Sequence, residues 1–476
     1  MAVKLRTLSL SDEQKKEIIA QYKAVHKTQL EQREHRVKSS RDNYRRDYAR
    51  ILYSPSFRRL QGKMQILGVQ SNAFYRNRLT HSLEVANIAK SIAMVLASTL
   101  DNKIYQNDIY VLDAAALAHD IGHPAFGHSG ERTLDDLGKE YDVRFEGNAH
   151  NFRVLRTLES KELNGDGLNL SYRTLLAINK YIVKEDDNVD QKPVKKFMFK
   201  DDYNSLHSIR QAHNLLCKRT LDVQIIELAD DIAYAVHDLE DGLALRKFTI
   251  EEILATLKSD ESADEYKLFN TKFVSQIRTT LYKELHDGDM FEKMFRMSLT
   301  SKLTNEFIQD IHIAPVSDKD AIEHGTDNNV QELCLNKYAG LLKKLKSAVF
   351  HCSTRDPEIR LYEHRGKIVV TSLFNLFLHE ETNPKQGLLP PEYRPDLSCL
   401  RDDEDRINEL KKLEAERELT EDESEELKEK LKNNGKKRNH LVAQSCIDYI
   451  AGMMDTYAIS EYEKYFNKKF TEIEVS

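Results

Sequence analysis

Three apolar runs at helical spacing limit what this chain can fold into. Leu83, Val85, Ala86, Ile88, Ala89, Ile92, Ala93, Leu96 and Ala97 recur on a 3.6-residue period and predict a packed helix. A second run, from Val111 to about Ile121 through Leu112, Ala114, Ala115, Ala116, Leu117 and Ala118, predicts a buried helix. Gly122, Pro124 and Gly127 end it, because proline cannot continue the hydrogen-bond ladder and glycine frees the backbone. A third run extends from about Leu221 to Leu245, with Val223, Ile226, Ala229, Ala233 and Val236 marking its turns. Helical patterning continues through 250–310 and 330–350. Only 17 glycines and 9 prolines punctuate 476 residues, which disfavours a Gly-rich α/β nucleotide fold and a turn-rich barrel. The predicted class is all-α, in one large lobe or two.

Charge and cysteine usage narrow the setting. Against 78 acidic residues stand 71 basic ones, for a net charge of −7, which does not suggest a chain built to coat DNA or polyphosphate. Five cysteines (217, 334, 352, 399 and 446) are odd in number and form no CxxC, so neither a disulfide framework nor a cysteine zinc module is expected. The first residues, MAVKLRTLSLSDEQKKE, lack a basic-then-apolar signal, and no run approaches the ~18 apolar residues of a membrane span. A cytoplasmic protein with no membrane partner is the expectation.

Residues 1–50 are polar, rich in Arg, Lys and Gln, and carry a weak apolar stripe, which suits a solvated helix or an oligomer-facing arm better than a core. The basic clusters Arg33, Arg36, Lys38 and Arg45, Arg46, Arg50 could touch single-stranded DNA weakly, although the acidic overall charge favours a solvated face. Residues 401–438 are dominated by charge, with leucines at 410, 413, 419, 427 and 431, and read as a solvated helical hairpin inserted into the fold or a partner-binding coiled coil. The stretch 384–395, which contains prolines, is the best boundary before the C-terminal part.

The chemistry is concentrated in LAHDIGHPAFGHSGE. Three of 17 histidines, His119, His123 and His128, fall within ten residues and are joined by Asp120 and Glu131. His119 and Asp120 emerge from a buried, Ala-lined helix, where a bare charge is costly without a counter-ion. An imidazole nitrogen and a carboxylate oxygen side by side suit a divalent metal of borderline hardness. Further donors must come from other helices: His81 opens the first apolar run, and Asp230 and Asp231 are adjacent acids inside the third. Together, His81, His119, Asp120 and one of Asp230 or Asp231 read as a two-histidine, two-carboxylate metal site.

The set RLTHSLEV, HDIGHPAFGHSGE and LADDIAYAVHDLED resembles the HD-domain phosphohydrolases. FRRLQGKMQ, FEGNAHNFRVL, TLLAINKYI, PVKKFMF and DYIAGMMDTYA narrow the resemblance to the deoxyguanosine-triphosphate triphosphohydrolase (dNTPase) family over about residues 40–460. The resemblance implies an HD helical fold elaborated with additional helices, its core at 51–250, a helical continuation at 251–400, the insertion at 401–438 and a family motif with a tail at 439–476. It implies His81, His119, Asp120 and Asp230 as ligands of a divalent metal (Mn, Mg, Fe or Co, with Zn also suited). Asp230 is preferred over Asp231 because the family's ligand stands four residues before its substrate-contacting tyrosine, here Tyr234. His128 and Glu131 resemble the catalytic pair, their i, i+3 spacing placing both on one helical face, and His123 resembles a histidine near the α-phosphate. Gln65 and Asp238 resemble contacts to the sugar or base, Arg78, Lys180 and Lys196 contacts to phosphate, and Tyr181 and Tyr234 the pocket lining. One departure stands out: where the family usually has GNAQ, this chain has Gly147, Asn148, Ala149 and His150.

The implied activity is hydrolysis of dNTPs, dGTP among them, to deoxynucleoside and inorganic triphosphate. The implied assembly is a homo-oligomer, a hexamer or tetramer, with a dNTP effector site whose position the sequence does not give. Another HD hydrolase acting on monophosphates, alarmones or cyclic nucleotides is the alternative enzyme, and a nucleotide sensor or nucleic-acid-binding protein the alternative class. No GxxxxGK[ST] loop is present to cradle phosphates.

Overall fold

The computed structural model describes residues 7–27, 29–33, 42–65, 76–160, 167–189, 192–259, 263–284, 288–382 and 387–474. In chain order, the elements used below are α1 (Asp12–Val25), α2 (Asn43–Leu52), α3 (Arg78–Thr99), α4 (Tyr110–Ala118), α5 (Gly127–Lys139), α6 (Gly147–Arg153), α7 (Leu221–Ala244), α8 (Gly288–Gln309), β1 (Ile311–Pro315), β2 (Gln331–Leu335), α9 (Ala339–Thr354), α10 (Arg401–Glu416), α11 (Glu421–Ala451) and α12 (Asp455–Phe466). The only strands among the described residues are the antiparallel pair β1–β2 and a two-residue ladder, Asn188–Val189 with Lys192–Pro193, so the fold is helical as expected.

The chain divides into two compact units, one of residues up to Gly122 together with Gly147–Tyr362, the other of His123–Glu146 together with Glu363–Ser476. In the first unit α7 is the central element, packed against α3, α4, α8 and α9. Thr220 caps it through its side chain, and Ile225, Ala229, Ile232, Ala233 and Ala235 are fully buried along it. Ala114, Ala115, Ala116 and Ala118 of α4 are buried to the same degree, and their short side chains let neighbouring helices approach closely. Asn77 and Thr80 form a reciprocal cap at the start of α3, which fixes where that helix begins.

Three expectations are corrected in this unit. Leu8, Leu10 and Leu30 join the core with one face of α1, made by Ile18, Tyr22 and Val25. Arg33 and Arg50 are buried, donating to the Asn169 carbonyl at 2.6 and 2.9 Å, and Arg33 also pairs with the fully buried Asp47. They hold the chain together and are not offered to nucleic acid, while Arg45 lies over the Tyr110 ring and Arg36 and Lys38 fall outside the described residues. The helical pattern expected over 330–350 begins as strand β2, registered Ile311 to Leu335 on β1, and becomes helical at α9.

In the second unit α5 packs on α11. The charged stretch from 401 folds as a hairpin of α10 on α11, closed by a small apolar cluster of Ile407, Leu410 and Leu427. All five cysteines are free, and no described helix is long and apolar enough to cross a membrane.

Candidate active site

A group able to hold a metal ion is assembled at three helix positions of the first unit. His81 lies in the opening turn of α3, His119 just beyond the end of α4, and Asp230 in the middle of α7. His81 Nε2 is 3.0 Å from Asp230 Oδ1, His119 Nε2 is 3.6 Å from the same oxygen, and the two rings are 5.5 Å apart. One donor atom from each residue lies within 4.8 Å of the others. Asp120 offers Oδ1 at 3.7 Å from His119 Nε2, while its Oδ2 accepts from Arg78 at 2.6 Å. Arg78, expected at phosphate, is therefore engaged by a metal-ligand candidate.

The donors suit a divalent cation. His119 Nδ1 lies 2.7 Å from the Ala116 carbonyl, so the neutral ring carries its proton there and presents the Nε2 lone pair. That Nε2 is buried with no hydrogen-bond partner among the described residues. Burial works against charge on His119, yet Asp120 and Asp230 push its pKa up to about 9; burial likewise opposes ionisation of Asp230, but His119 and His81 hold it well below the carboxylate range. The cluster thus calls for a positive charge. Ions of borderline hardness bind mixed imidazole and carboxylate donors, and a tetrahedral ion reaches them at ~2.0–2.3 Å.

The turn after Asp120 explains both its glycine and the unusual histidine. A Cβ on Gly122 would lie 2.0 Å from the Asn151 nitrogen and 2.4 Å from the Gly147 carbonyl oxygen, so only glycine lets α6 approach. Asn151 donates to the His119 carbonyl at 3.1 Å, and His150 Nδ1 lies 2.9 Å from the Gly122 carbonyl. The residue that departs from GNAQ braces the metal-ligand turn.

One face of α7 carries the remaining groups of this unit, since Glu227, Asp231, Tyr234 and Asp238 follow at helical spacing. Lys180 Nζ is 3.3 Å from Glu227 and 5.7 Å above the Tyr181 ring, and Lys196 lies 5.8 Å from the same ring. Burial disfavours the Lys180 ammonium, but Tyr181 and the carboxylates of Glu227, Asp230 and Asp231 keep its pKa well above normal. Gln65 and Asp238 line one narrow cavity with Arg76, Asp241, Gly242, Lys247 and Ser353. Asp238 Oδ2 and Gln65 Oε1 are buried there without partners among the described residues. Burial, with Asp241 nearby, drives the Asp238 pKa well above normal.

Sequence reasoning missed three residues here. Arg76 ties Glu84 (2.7 Å), the His237 carbonyl (2.7 Å) and Asp241 (2.8 Å) into one network beside that cavity. Glu227 holds Lys180, and Lys346 of α9 pairs with Asp231. The stripe on α7 was the only available signal for Glu227; nothing local located Arg76 or Lys346, which meet it from elsewhere in the chain.

The second unit contains the histidine–glutamate pair. His128 Nδ1 is 3.0 Å from Glu131 Oε2 in the first turns of α5, with the imidazole 57 % exposed and the carboxylate 12 %. The His123 ring lies 6.4 Å from the His128 ring. Phe126 starts the helix from a left-handed backbone (φ 60°), its N–H donating to Asp455 Oδ1 at 3.1 Å and its ring stacked on Phe470. A Cβ on Gly366 would lie 2.5 Å from that ring. The two distant sequence motifs HPAFGHSGE and DYIAGMMD thus meet at one hydrogen bond.

Comparison with known proteins agrees with this layout. The HD domain model matches residues 78–235, from the start of α3 through the middle of α7, and a phosphohydrolase-associated domain model matches 407–464. A deoxyguanosinetriphosphate triphosphohydrolase-like protein 2 of Vibrio cholerae is 37 % identical over 434 residues, covering 90 % of each chain. Deoxyguanosinetriphosphate triphosphohydrolase-like proteins of Shewanella oneidensis and Shewanella sediminis are 33 % and 34 % identical, over 71 % and 77 % of this chain and 82 % and 86 % of their own. With its metal-ligand candidates inside the matched HD segment and similarity along nearly its whole length, the chain belongs to the HD-domain family of deoxyguanosinetriphosphate triphosphohydrolase-like proteins.

Proposed function

We propose that this chain is a metal-dependent hydrolase of deoxynucleoside triphosphates, dGTP among them, that releases deoxynucleoside and intact inorganic triphosphate. The observation that carries the reading is the face of α7, where Asp230 meets His81 and His119 while Lys180, Tyr181 and Tyr234 gather around the same helix. A divalent ion held by His81, His119 and Asp230, with Asp120 as further donor, would supply Lewis-acid charge to phosphate oxygens. Lys180, Lys196 and Arg78 bring fixed positive charge for a substrate with about four negative charges. His128 takes a proton from the attacking water, or itself attacks, and Glu131 fixes the ring tautomer and stabilises its cation. Water adds to the α-phosphorus as its proton passes to His128, the bond to the 5′-oxygen breaks, and that oxygen takes the proton from the His128 imidazolium and leaves as deoxynucleoside. His123 stands near the α-phosphate in this reading.

In this reading Gln65 and Asp238 contact the sugar and base edge, and Tyr181 and Tyr234 line the substrate pocket. A buried hydroxyl without a partner costs ~1–3 kcal/mol, so a 2′-hydroxyl is excluded. By the same family reading the protein works in the cytoplasm as a tetramer or hexamer with a dNTP effector site.

The test is incubation of purified protein with each dNTP and rNTP plus Mn, Mg, Co, Fe or Zn, followed by identification of the phosphate product. Tripolyphosphate from dNTPs alone supports the reading. Orthophosphate or pyrophosphate would instead identify another HD hydrolase, and tight nucleotide binding without turnover a sensor.

A further inference from the structure

Lys346 projects from α9 to the face of α7 that carries the metal-ligand candidate. Its ammonium pairs with Asp231, the neighbour of Asp230, and lies 5.5 Å from the centre of the Tyr234 ring. Both side chains of the pair remain about one-third exposed, at 33 % and 34 %. An ion pair that open adds ~0–1 kcal/mol to stability, so holding the fold together does not account for it. A lysine here also adds to a set: Asp231 feels the charge of Lys180 as well as Lys346, although the two lysines come from different parts of the chain. The charges of two ammonium groups thus act on Asp231, while Asp230 beside it turns to His81 and His119.

We propose that Lys346 is a substrate-contacting residue that binds the triphosphate moiety, with Asp231 holding its ammonium in place until phosphate oxygens take over. The proposal rests on the reading of this face as a nucleoside-triphosphate site. Lysine binds phosphate as a point charge through three rotatable donors, and a single carboxylate leaves donors to spare. The Tyr234 ring face favours the cation and limits the positions its flexible stem can adopt. Asp231 has the opposite role toward an incoming polyanion. It keeps the lysine aimed, but its own negative charge repels phosphate.

That opposition gives variants of opposite sign. In calorimetric titrations of the full-length protein with inorganic tripolyphosphate and with dGTP, Lys346→Ala is expected to weaken tripolyphosphate binding at least about tenfold. Lys346→Arg should restore most of the loss, and deoxyguanosine, which has no phosphate, should bind wild type and Lys346→Ala alike. Asp231→Asn, which frees the ammonium and removes a repelling charge, should tighten tripolyphosphate binding. Equal tripolyphosphate affinity of wild type and Lys346→Ala would overturn the assignment of Lys346 while leaving the nucleotide site standing. Weaker binding by both Lys346→Ala and Asp231→Asn would reduce the pair to a structural contact. If wild type binds neither dGTP nor tripolyphosphate, the nucleotide reading fails and this proposal fails with it.

Discussion

Consecutive residues on an α-helix point about 100° apart, and on α7 that angle sends Asp230 toward His81 and His119 but Asp231 toward Lys346. Sequence alone left the choice between these two acids to family resemblance, because adjacent carboxylates look alike until the partner helices are placed. Asp230→Asn is therefore expected to lose bound metal, measured by elemental analysis, whereas Asp231→Asn keeps it; metal loss in both would erase the distinction. His128 and Glu131, bonded to each other, should behave as one unit. Each alanine variant is expected to lose ~10²–10⁴-fold in turnover with metal retained, and the double variant far less than the product of the two losses. Independent, multiplying losses would contradict the pairing. Asp238 allows a pH test. Its raised pKa means that above about pH 4 an unfolded chain has released a proton that the folded chain still holds, so stability falls as pH rises. Asp238→Asn removes that penalty, and its urea midpoint relative to wild type should climb between pH 5 and pH 8; parallel pH curves would count against a protonated Asp238.

At the scale of elements, glycines mark where backbone meets backbone. A Cβ on Gly130 would lie 2.0 Å from the Ala125 carbonyl oxygen, inside the turn that aims His128 and Glu131. Gly130→Ala is expected to cost ~1–3 kcal/mol in urea unfolding and to lower turnover with metal content unchanged. An unshifted midpoint would show that the turn relaxes freely. The hairpin of α10 and α11 has its own small cluster, so Leu410→Ala should increase amide hydrogen exchange within the hairpin while exchange in α7 stays as it was. The long helices were legible: the runs expected from Leu83, Val111 and Leu221 correspond to α3, α4 and α7, because their apolar period is uninterrupted. Strand β2 was not, since five residues of QELCL between helical patterns give too short a signal and owe their conformation to pairing with β1.

At the scale of the molecule, the helical class followed from scarce glycine and proline, but the polar N-terminal arm did not hold for α1. Three apolar side chains on one face of α1 are enough to seat it when a large core is waiting, and composition averages hide so narrow a stripe. The metal-ligand candidates were legible as residue types; Lys346 and Arg76, which meet α7, were not, because tertiary folding alone brings them there. The hydrogen bond between Phe126 and Asp455 joins residues 329 positions apart. On a ribosome adding ~5–20 residues per second, Asp455 is made on the order of 20–60 s after Phe126. Throughout that interval the segment that will carry His128 and Glu131 exists without the carboxylate and the Phe470 ring that fix its left-handed start. The backbone start that aims His128 and Glu131 is thus fixed only after residues more than three hundred positions downstream have been made.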